Sequence, residues 1–333
     1  MRALVYLGPG RMEQQDVPEP APAPGEVVIA SRASAICGSD LHAFREASPR
    51  RIPPLVMGHE TVGEITDVGE GVPAARIGER VVLKPILSCG ACAWCGSGAI
   101  NRCATGRLVG RDLVGGFAER FAIPAAAAVT LGDAVSDQVA TLIEPMANAT
   151  HVASRSVGKG DRVFVIGAGP IGVLMAKAAF LHGASRVLVT DPMPDRLRLA
   201  RAQGAEPVTG EDPAASVLDA TDGDGADVVI DAAGFESTWA MGLRAVRMGG
   251  RIEQVGLGAG SGTVDFFAVL GKEVTIAGSY GWADEDFARA VDMVGEGLLD
   301  TAGWFTRMPI EEGQRAFQEL ADASGPFKVV LEF

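Results

Sequence analysis

The five cysteines of this 333-residue chain fall into two groups with different chemistry. Cys89, Cys92, Cys95 and Cys103 form C-x-x-C-x-x-C followed by seven residues and a fourth cysteine. Four thiolates at that spacing suit a closed, tetrahedral structural zinc site. Thiolates alone do not identify the metal, so an iron-sulfur cluster is the serious rival, while disulfides are disfavoured in a cytoplasmic chain. The fifth cysteine, Cys37, opens C-G-S-D-L-H and so brings Ser39, Asp40 and His42 within six positions. His59 and Glu60 follow in P-P-L-V-M-G-H-E. Taken singly, a cysteine is usually a small buried hydrophobe and a histidine a satisfied core or surface residue. Together, thiolate, imidazole and carboxylate are the ligand types of zinc.

A third constellation is Val163 to Asp191. V-F-V-I at 163 to 166 runs into Gly167, Gly169 and Gly172, an apolar run continues to His182, and R-V-L-V-T at 186 to 190 ends in Asp191. The order is strand, glycine turn, helix, strand, acid, which is the fingerprint of a dinucleotide-binding unit. Gly167 allows the tight turn, Gly169 lets the backbone approach a pyrophosphate, and Gly172 lets the helix pack on the strand. The free N–H groups of the helix start face the anion. Asp191 stands near the offset of the acid that binds a ribose, with Arg196 close behind it. An ordinary βαβ unit without a ligand would share the pattern but has no need of the acid.

These residues must be held by elements the sequence also outlines. Residues 1 to 35 read as short strands separated by Pro and Gly, with E-V-V-I-A at 26 to 30 the clearest. Residues 61 to 85 divide into β-branched runs between glycines, as in a small barrel-like β domain. A helix broken or started at Pro145 is expected over 140 to 151, and it carries Glu144. After Asp191 the βα alternation continues through a helix near 194 to 203 and strands at A-D-V-V-I-D, G-R-I-E-Q-V-G and E-V-T-I-A-G, giving an α/β fold with an open parallel sheet covered by helices on both faces. From about 280 the pattern changes to a helix near 284 to 297 and a terminal strand, K-V-V-L-E-F, expected to return to the first domain.

Composition narrows the partner. A net charge of -13 opposes nucleic acid and anionic membrane, which reward clustered Lys and Arg, and leaves a small molecule as the expected ligand. The start, M-R-A-L-V-Y-L-G-P-G, breaks at Gly8 and Pro9 before it could supply a signal-peptide core, and no apolar run reaches about twenty residues. A soluble cytoplasmic protein is expected.

Taken together, C-G-S-D-x-H, G-H-E, the four-cysteine lobe, E-P, G-A-G-P-I-G and Asp191, all in one order, resemble the zinc-dependent medium-chain dehydrogenase/reductase family over essentially the whole chain. The resemblance implies a β-rich GroES-like catalytic domain of residues 1–145 and 281–333 carrying a zinc lobe at 86–105, and a Rossmann domain of residues 146–280. It implies two zinc ions, one catalytic and one structural, with NAD seated on Gly167, Gly169, Pro170, Ile171, Gly172, Asp191 and Arg196. Cys37 and His59 would hold the catalytic zinc, Glu60 and Glu144 would supply or flank the remaining coordination, and Asp40 would orient His59. Ser39 and His42 match the family's proton relay. Zinc would act as a Lewis acid on an alcohol whose proton leaves through Ser39 and the cofactor ribose towards His42, while the hydride passes to the nicotinamide.

Two features depart from the liver-type alcohol dehydrogenases: Glu144 stands where those have a cysteine ligand, and Gly38 where they carry a basic residue. Both resemble the polyol, sorbitol, threonine and butanediol branch, which implies a secondary alcohol such as a vicinal diol or amino alcohol. The resemblance also implies a homodimer or homotetramer joined through nucleotide-domain edge strands. A zinc- and nucleotide-binding redox sensor should have lost the catalytic ligands, and a zinc-free reductase of the superfamily should lack the cysteine lobe as well. Between the ligand motifs, F-R-E-A-S-P-R-R carries Arg45, Arg50 and Arg51. Arginines there could capture a carboxylate or phosphate, but a solvated loop balanced by Glu46 is the preferred reading.

Overall fold

A computed structural model describes residues 1–322 and 325–333. The chain forms two compact units, one of Met1–Glu144 with Ala283–Phe333 and one of Pro145–Trp282.

The first unit is built on a sheet in which Glu26–Ala35 is central. From one edge the strands run Ala128–Thr130, Arg80–Leu83, Glu60–Val68, Glu26–Ala35, Lys328–Glu332 and Phe305–Pro309, with Arg120–Pro124 also pairing on Glu26–Ala35. Alternation along Glu26–Ala35 explains the fold: Val27 and Ile29 turn inward to meet Ile65, Val81, Leu83, Phe121 and Ile123, all fully or almost fully buried. A second core gathers Leu4, Tyr6, Phe44, Met57, Phe117, Phe317 and Leu331 beneath the N-terminal hairpin. The terminal strand, expected to rejoin the first domain, lies antiparallel to Glu26–Ala35 with Val330 opposite Ala35.

The second unit is an all-parallel sheet of six strands. Its order from edge to edge is Glu206–Pro207, Arg186–Thr190, Arg162–Ile166, Ala226–Asp231, Val246–Gln254 and Thr275–Gly278. That is the doubly wound arrangement in which the first strand lies at the centre and successive strands are added on either side of it. Phe164, Ile166, Leu188, Val229 and Ile252 face Val217 and Leu243 of the covering helices. The helix Pro170–Leu181 is apolar nearly all round, as expected of one buried on the sheet. Among the described residues no helix is long and apolar enough to cross a membrane.

Candidate metal centres and nucleotide-binding turn

Sheet register assembles the first candidate site. Glu26–Ala35 pairs antiparallel with Glu60–Val68 so that Ala35 faces Glu60. Cys37, two residues beyond one partner, and His59, one residue before the other, are therefore neighbours. Cys37 is the residue that begins the helix Gly38–Arg45. Gly58, just before His59, has φ +97° and no room for a side chain, since a Cβ would lie 2.7 Å from the Phe117 backbone nitrogen.

Ligand atoms of Cys37, His59 and Glu60 lie within 4.8 Å of one another. Glu144 is buried but falls outside that group; it acts on the site through charge, raising the pKa of both His59 and Lys328. Asp40 is fully buried, with Oδ1 3.5 Å from His59 Nδ1. Ser39 donates to Cys37 Sγ at 3.4 Å, and His42 stands exposed one helical turn further on.

Lys328 is the member that motif reading missed. Its Nζ lies 2.5 Å from Glu60 Oε2 and donates to the Ile36 carbonyl at 3.2 Å, with both charged side chains buried. The two buried charges compensate each other. Burial presses the Lys328 pKa down, but Glu60, Cys37 and Glu144 outweigh it and raise the value. The available signal was a single Lys heading an otherwise apolar strand, because a buried Lys demands a partner.

The donors fit a cation. Sulfur, imidazole nitrogen and carboxylate oxygen from Cys37, His59 and Glu60 converge within 4.8 Å, while Asp40 faces His59 Nδ1 and Lys328 compensates Glu60 Oε2. Burial opposes charge on His59, yet Asp40, Cys37 and Glu144 push its pKa up to about 10, so the cavity itself attracts positive charge. Three mixed N, S and O donors would leave a position open on a four-coordinate ion, as catalytic rather than structural sites do.

The lobe is a different construction. Strands Ile86–Leu87 and Arg107–Leu108 pair at its base, and a short helix, Ala93–Gly96, and a turn, Ile100–Arg102, carry ligands between them. The four sulfurs also lie within 4.8 Å of one another. All are free thiols, with Cys89 and Cys95 3.8 Å apart and Cys92 and Cys95 3.4 Å apart. A tetrahedron with Zn–S near 2.3 Å has edges of about 3.8 Å, so the spacing of the set fits a single ion rather than an iron-sulfur cluster. N–H groups of Ala91 and Cys92 pull Cys89 down to about 6. Cys92 accepts from the Cys95 N–H, yet the thiols of Cys95 and Cys89 together with burial drive it up to about 11. Without a cation, the four cannot all be thiolates.

In the second unit the parallel register sets Ile166 beside Thr190, so Gly167 and Asp191 emerge together at the carboxyl ends of adjacent strands. Gly167 has φ +94°, and a Cβ on Gly172 would sit 1.8 Å from the Gly167 carbonyl oxygen, so neither position tolerates a side chain. A Cβ on Gly169 would meet nothing within 4 Å, which is the open approach a pyrophosphate needs. Pro170 opens the helix, and the first-turn amides of Ile171 and Gly172 have no acceptor within it. Asp191 also has a structural part: it accepts from Ala168 N at 2.8 Å and Met193 N at 2.9 Å, with Arg196 Nη1 3.9 Å away. Two of roughly four lone-pair positions are thus left for a ribose.

The solvated reading of the arginines holds for Arg45 and Arg50, both exposed, and fails for Arg51. Arg45 is exposed but donates to the carbonyls of Ala321 at 2.7 Å and Leu320 at 3.4 Å. Arg51 is buried, because its Nη2 donates to both Asp40 Oδ1 and Ser39 Oγ at 3.0 Å.

Residues 23–133 match the alcohol dehydrogenase GroES-like domain, and residues 170–296 match the zinc-binding dehydrogenase family. The chain is 36% identical to the L-threonine 3-dehydrogenase of Pyrococcus horikoshii, over 84% of this chain and 83% of that one. An alcohol dehydrogenase from E. coli CFT073, solved with NADH, superposes with a TM-score of 0.91 at 32% identity, covering 100% of this chain and 99% of that one. A 2R,3R-butanediol dehydrogenase from Bacillus subtilis does so at 0.90 and 26%, with the same coverage. The chain belongs to the zinc-dependent medium-chain dehydrogenase family. Within that family it is an oxidoreductase of the zinc alcohol dehydrogenase class.

Proposed function

We propose that the protein oxidises a secondary alcohol, a polyol, vicinal diol or amino alcohol, to the ketone with NAD. The observation that carries this reading is the open donor set of Cys37, His59 and Glu60 with Ser39 against it and His42 one turn away. A threonine dehydrogenase and a butanediol dehydrogenase among the relatives support this substrate class.

Zinc, when bound by Cys37, His59 and Glu60, supplies Lewis acidity that makes an alcohol hydroxyl acidic near neutral pH. Ser39 Oγ takes the hydroxyl proton and passes it outward towards exposed His42. Asp40, 3.5 Å from His59 Nδ1, keeps the imidazole oriented with its other nitrogen towards the metal. Lys328 balances the Glu60 charge and holds that carboxylate beside Cys37 and His59, where it would serve as a metal donor. Glu144 adds negative charge nearby without joining the three donors.

The cofactor is NAD rather than NADP, because a 2′-phosphate would meet the Asp191 carboxylate, a like-charge contact costing several kcal/mol. Arg196 offsets part of that penalty. A panel of alcohols and ketones assayed with NAD, NADH, NADP and NADPH tests both assignments. Reduction of NAD by at least one vicinal diol or amino alcohol is expected; equal efficiency with NADP, or no alcohol oxidised, contradicts the reading.

The assembly is a homodimer or homotetramer in the cytoplasm. Among the described residues Thr275–Gly278 is an edge strand of the parallel sheet, and the helix Phe266–Gly271 leading into it exposes Phe266, Phe267 and Leu270. A bare strand edge beside exposed aromatic residues suits self-pairing about a two-fold axis. Sedimentation of the Phe267→Glu and Ile276→Asp variants should show smaller species than the parent; a monomeric parent contradicts the assembly.

A further inference from the structure

Arg51 lies within the motif-poor segment between the two ligand sequences, yet it is 7% exposed. A guanidinium is buried only where something repays its desolvation. Nη2 spends one N–H on Asp40 Oδ1 and the other on Ser39 Oγ, each at 3.0 Å. Each of those groups touches a different candidate metal ligand: Asp40 faces His59 Nδ1 at 3.5 Å, and Ser39 donates to Cys37 Sγ at 3.4 Å. Nε is buried with no partner, so Nη2 is the atom through which this end of the side chain is held.

We infer that Arg51 is a positioning residue of the catalytic centre, a single guanidinium nitrogen that fixes the two side chains behind Cys37 and His59. The inference rests on the zinc reading of that centre. By donating to Ser39 Oγ, Arg51 fills one lone pair of the hydroxyl and leaves the other to accept the proton of a bound alcohol. By donating to Asp40, it prevents the carboxylate from turning away from His59. Lys replaces it only in part: its ammonium has the N–H groups for both acceptors, but they are not fixed in a plane and sit on a flexible chain.

The competing explanation is that Arg51 merely pins its loop to the helix Gly38–Arg45. A loop anchor would move melting temperature and leave metal exchange alone. The test therefore compares wild type, Arg51→Lys and Arg51→Ala as zinc-loaded full-length proteins. It follows zinc transfer to a chromogenic chelator, the visible spectrum after cobalt(II) replaces the labile zinc, and steady-state kinetics. Partners that orient metal ligands are typically worth about 10 to 100-fold in metal affinity or activity. The first zinc should leave Arg51→Ala 10 to 100-fold faster, with an altered cobalt spectrum, a kcat lower by a similar factor and an unchanged KM for NAD. Millimolar guanidinium should restore part of the kcat of Arg51→Ala and none in wild type, and Arg51→Lys should fall between the two.

Zinc transfer and kcat within twofold of wild type in both variants would overturn the inference. So would a rise in KM confined to carboxylated or phosphorylated alcohols, which would make Arg51 a substrate anchor instead. If Arg51→Ala does not fold, Arg51→Lys alone decides by the same readouts. A wild type that carries only the lobe zinc would remove the inference together with the reading beneath it.

Discussion

The two candidate metal centres lie in one compact unit and are built on opposite principles. The Cys89–Cys92–Cys95–Cys103 lobe is all ligand and almost no core: Ile100 is its one buried side chain between the paired strands at its base. Burying one Ile contributes about 2 to 3 kcal/mol, little more than the backbone entropy of ordering two residues. The lobe therefore needs its metal to fold. Cys37, His59 and Glu60 instead sit on a completed scaffold, because Glu26–Ala35, Glu60–Val68 and Lys328–Glu332 are already paired around buried aliphatic residues. Their arrangement is set by the sheet, so a metal bound there would be able to exchange without unfolding the chain. The difference between the centres is whether the fold depends on the metal or merely presents it.

The strongest way to break that distinction is to remove a lobe ligand. Cys95→Ser should cost on the order of 10 kcal/mol of metal-linked folding energy and give a protein that is unfolded or aggregated in its lobe. Circular dichroism and limited proteolysis check this, and a Cys95→Ser protein as stable as the parent would show that the lobe has an undetected core. The matching change at the other centre is Cys37→Ser. It should lower kcat/KM roughly 1,000-fold or more, about 4 kcal/mol, while zinc content drops from two per chain to one and the melting curve stays close to that of the parent. Thermal unfolding and metal analysis of the same sample separate these effects.

Lys328→Met sharpens the comparison. Removing the cation strands Glu60 as a buried charge, at roughly 3 kcal/mol, and the loss should be greater in chelated than in zinc-loaded protein, since either cation can balance Glu60. Equal losses in both states would mean that Glu60 never faces the metal. The smallest effect is expected in the lobe's own surface: Arg102 lies over the Trp94 ring at 5.0 Å, and Arg102→Ala should cost less than about 1 kcal/mol without changing zinc retention. A larger cost would mean that side-chain contacts, not thiolates, hold the lobe.

What could be read from the sequence follows the range of the interactions. The cysteine lobe and the glycine turn are local: their spacing in the chain is their spacing in space, so residue types carried both the geometry and the chemistry. Cys37 and His59 are 22 positions apart and were grouped by residue type, with the register of Ala35 opposite Glu60 making them neighbours. Lys328 was invisible as a site residue because it meets the Ile36 carbonyl across 292 positions, through a strand pairing that no local pattern specifies. Arg51 was misjudged for a related reason. Charge in a Pro-rich loop suggests solvent, and only the fold shows that Asp40 and Ser39 are there to receive it. For Asp191 the sequence suggests a ribose acceptor, whereas its bonds to Ala168 and Met193 depend on the turn already being folded.

The central claim is tested most directly by a chelation time course on the intact zinc-loaded protein, with released zinc, dehydrogenase activity and far-ultraviolet circular dichroism followed together. One zinc per chain should leave first, in step with the loss of activity and with no change in secondary structure, and the second should leave only as the lobe unfolds. Release of both zinc ions in one phase, or loss of structure as early as loss of activity, would contradict the account.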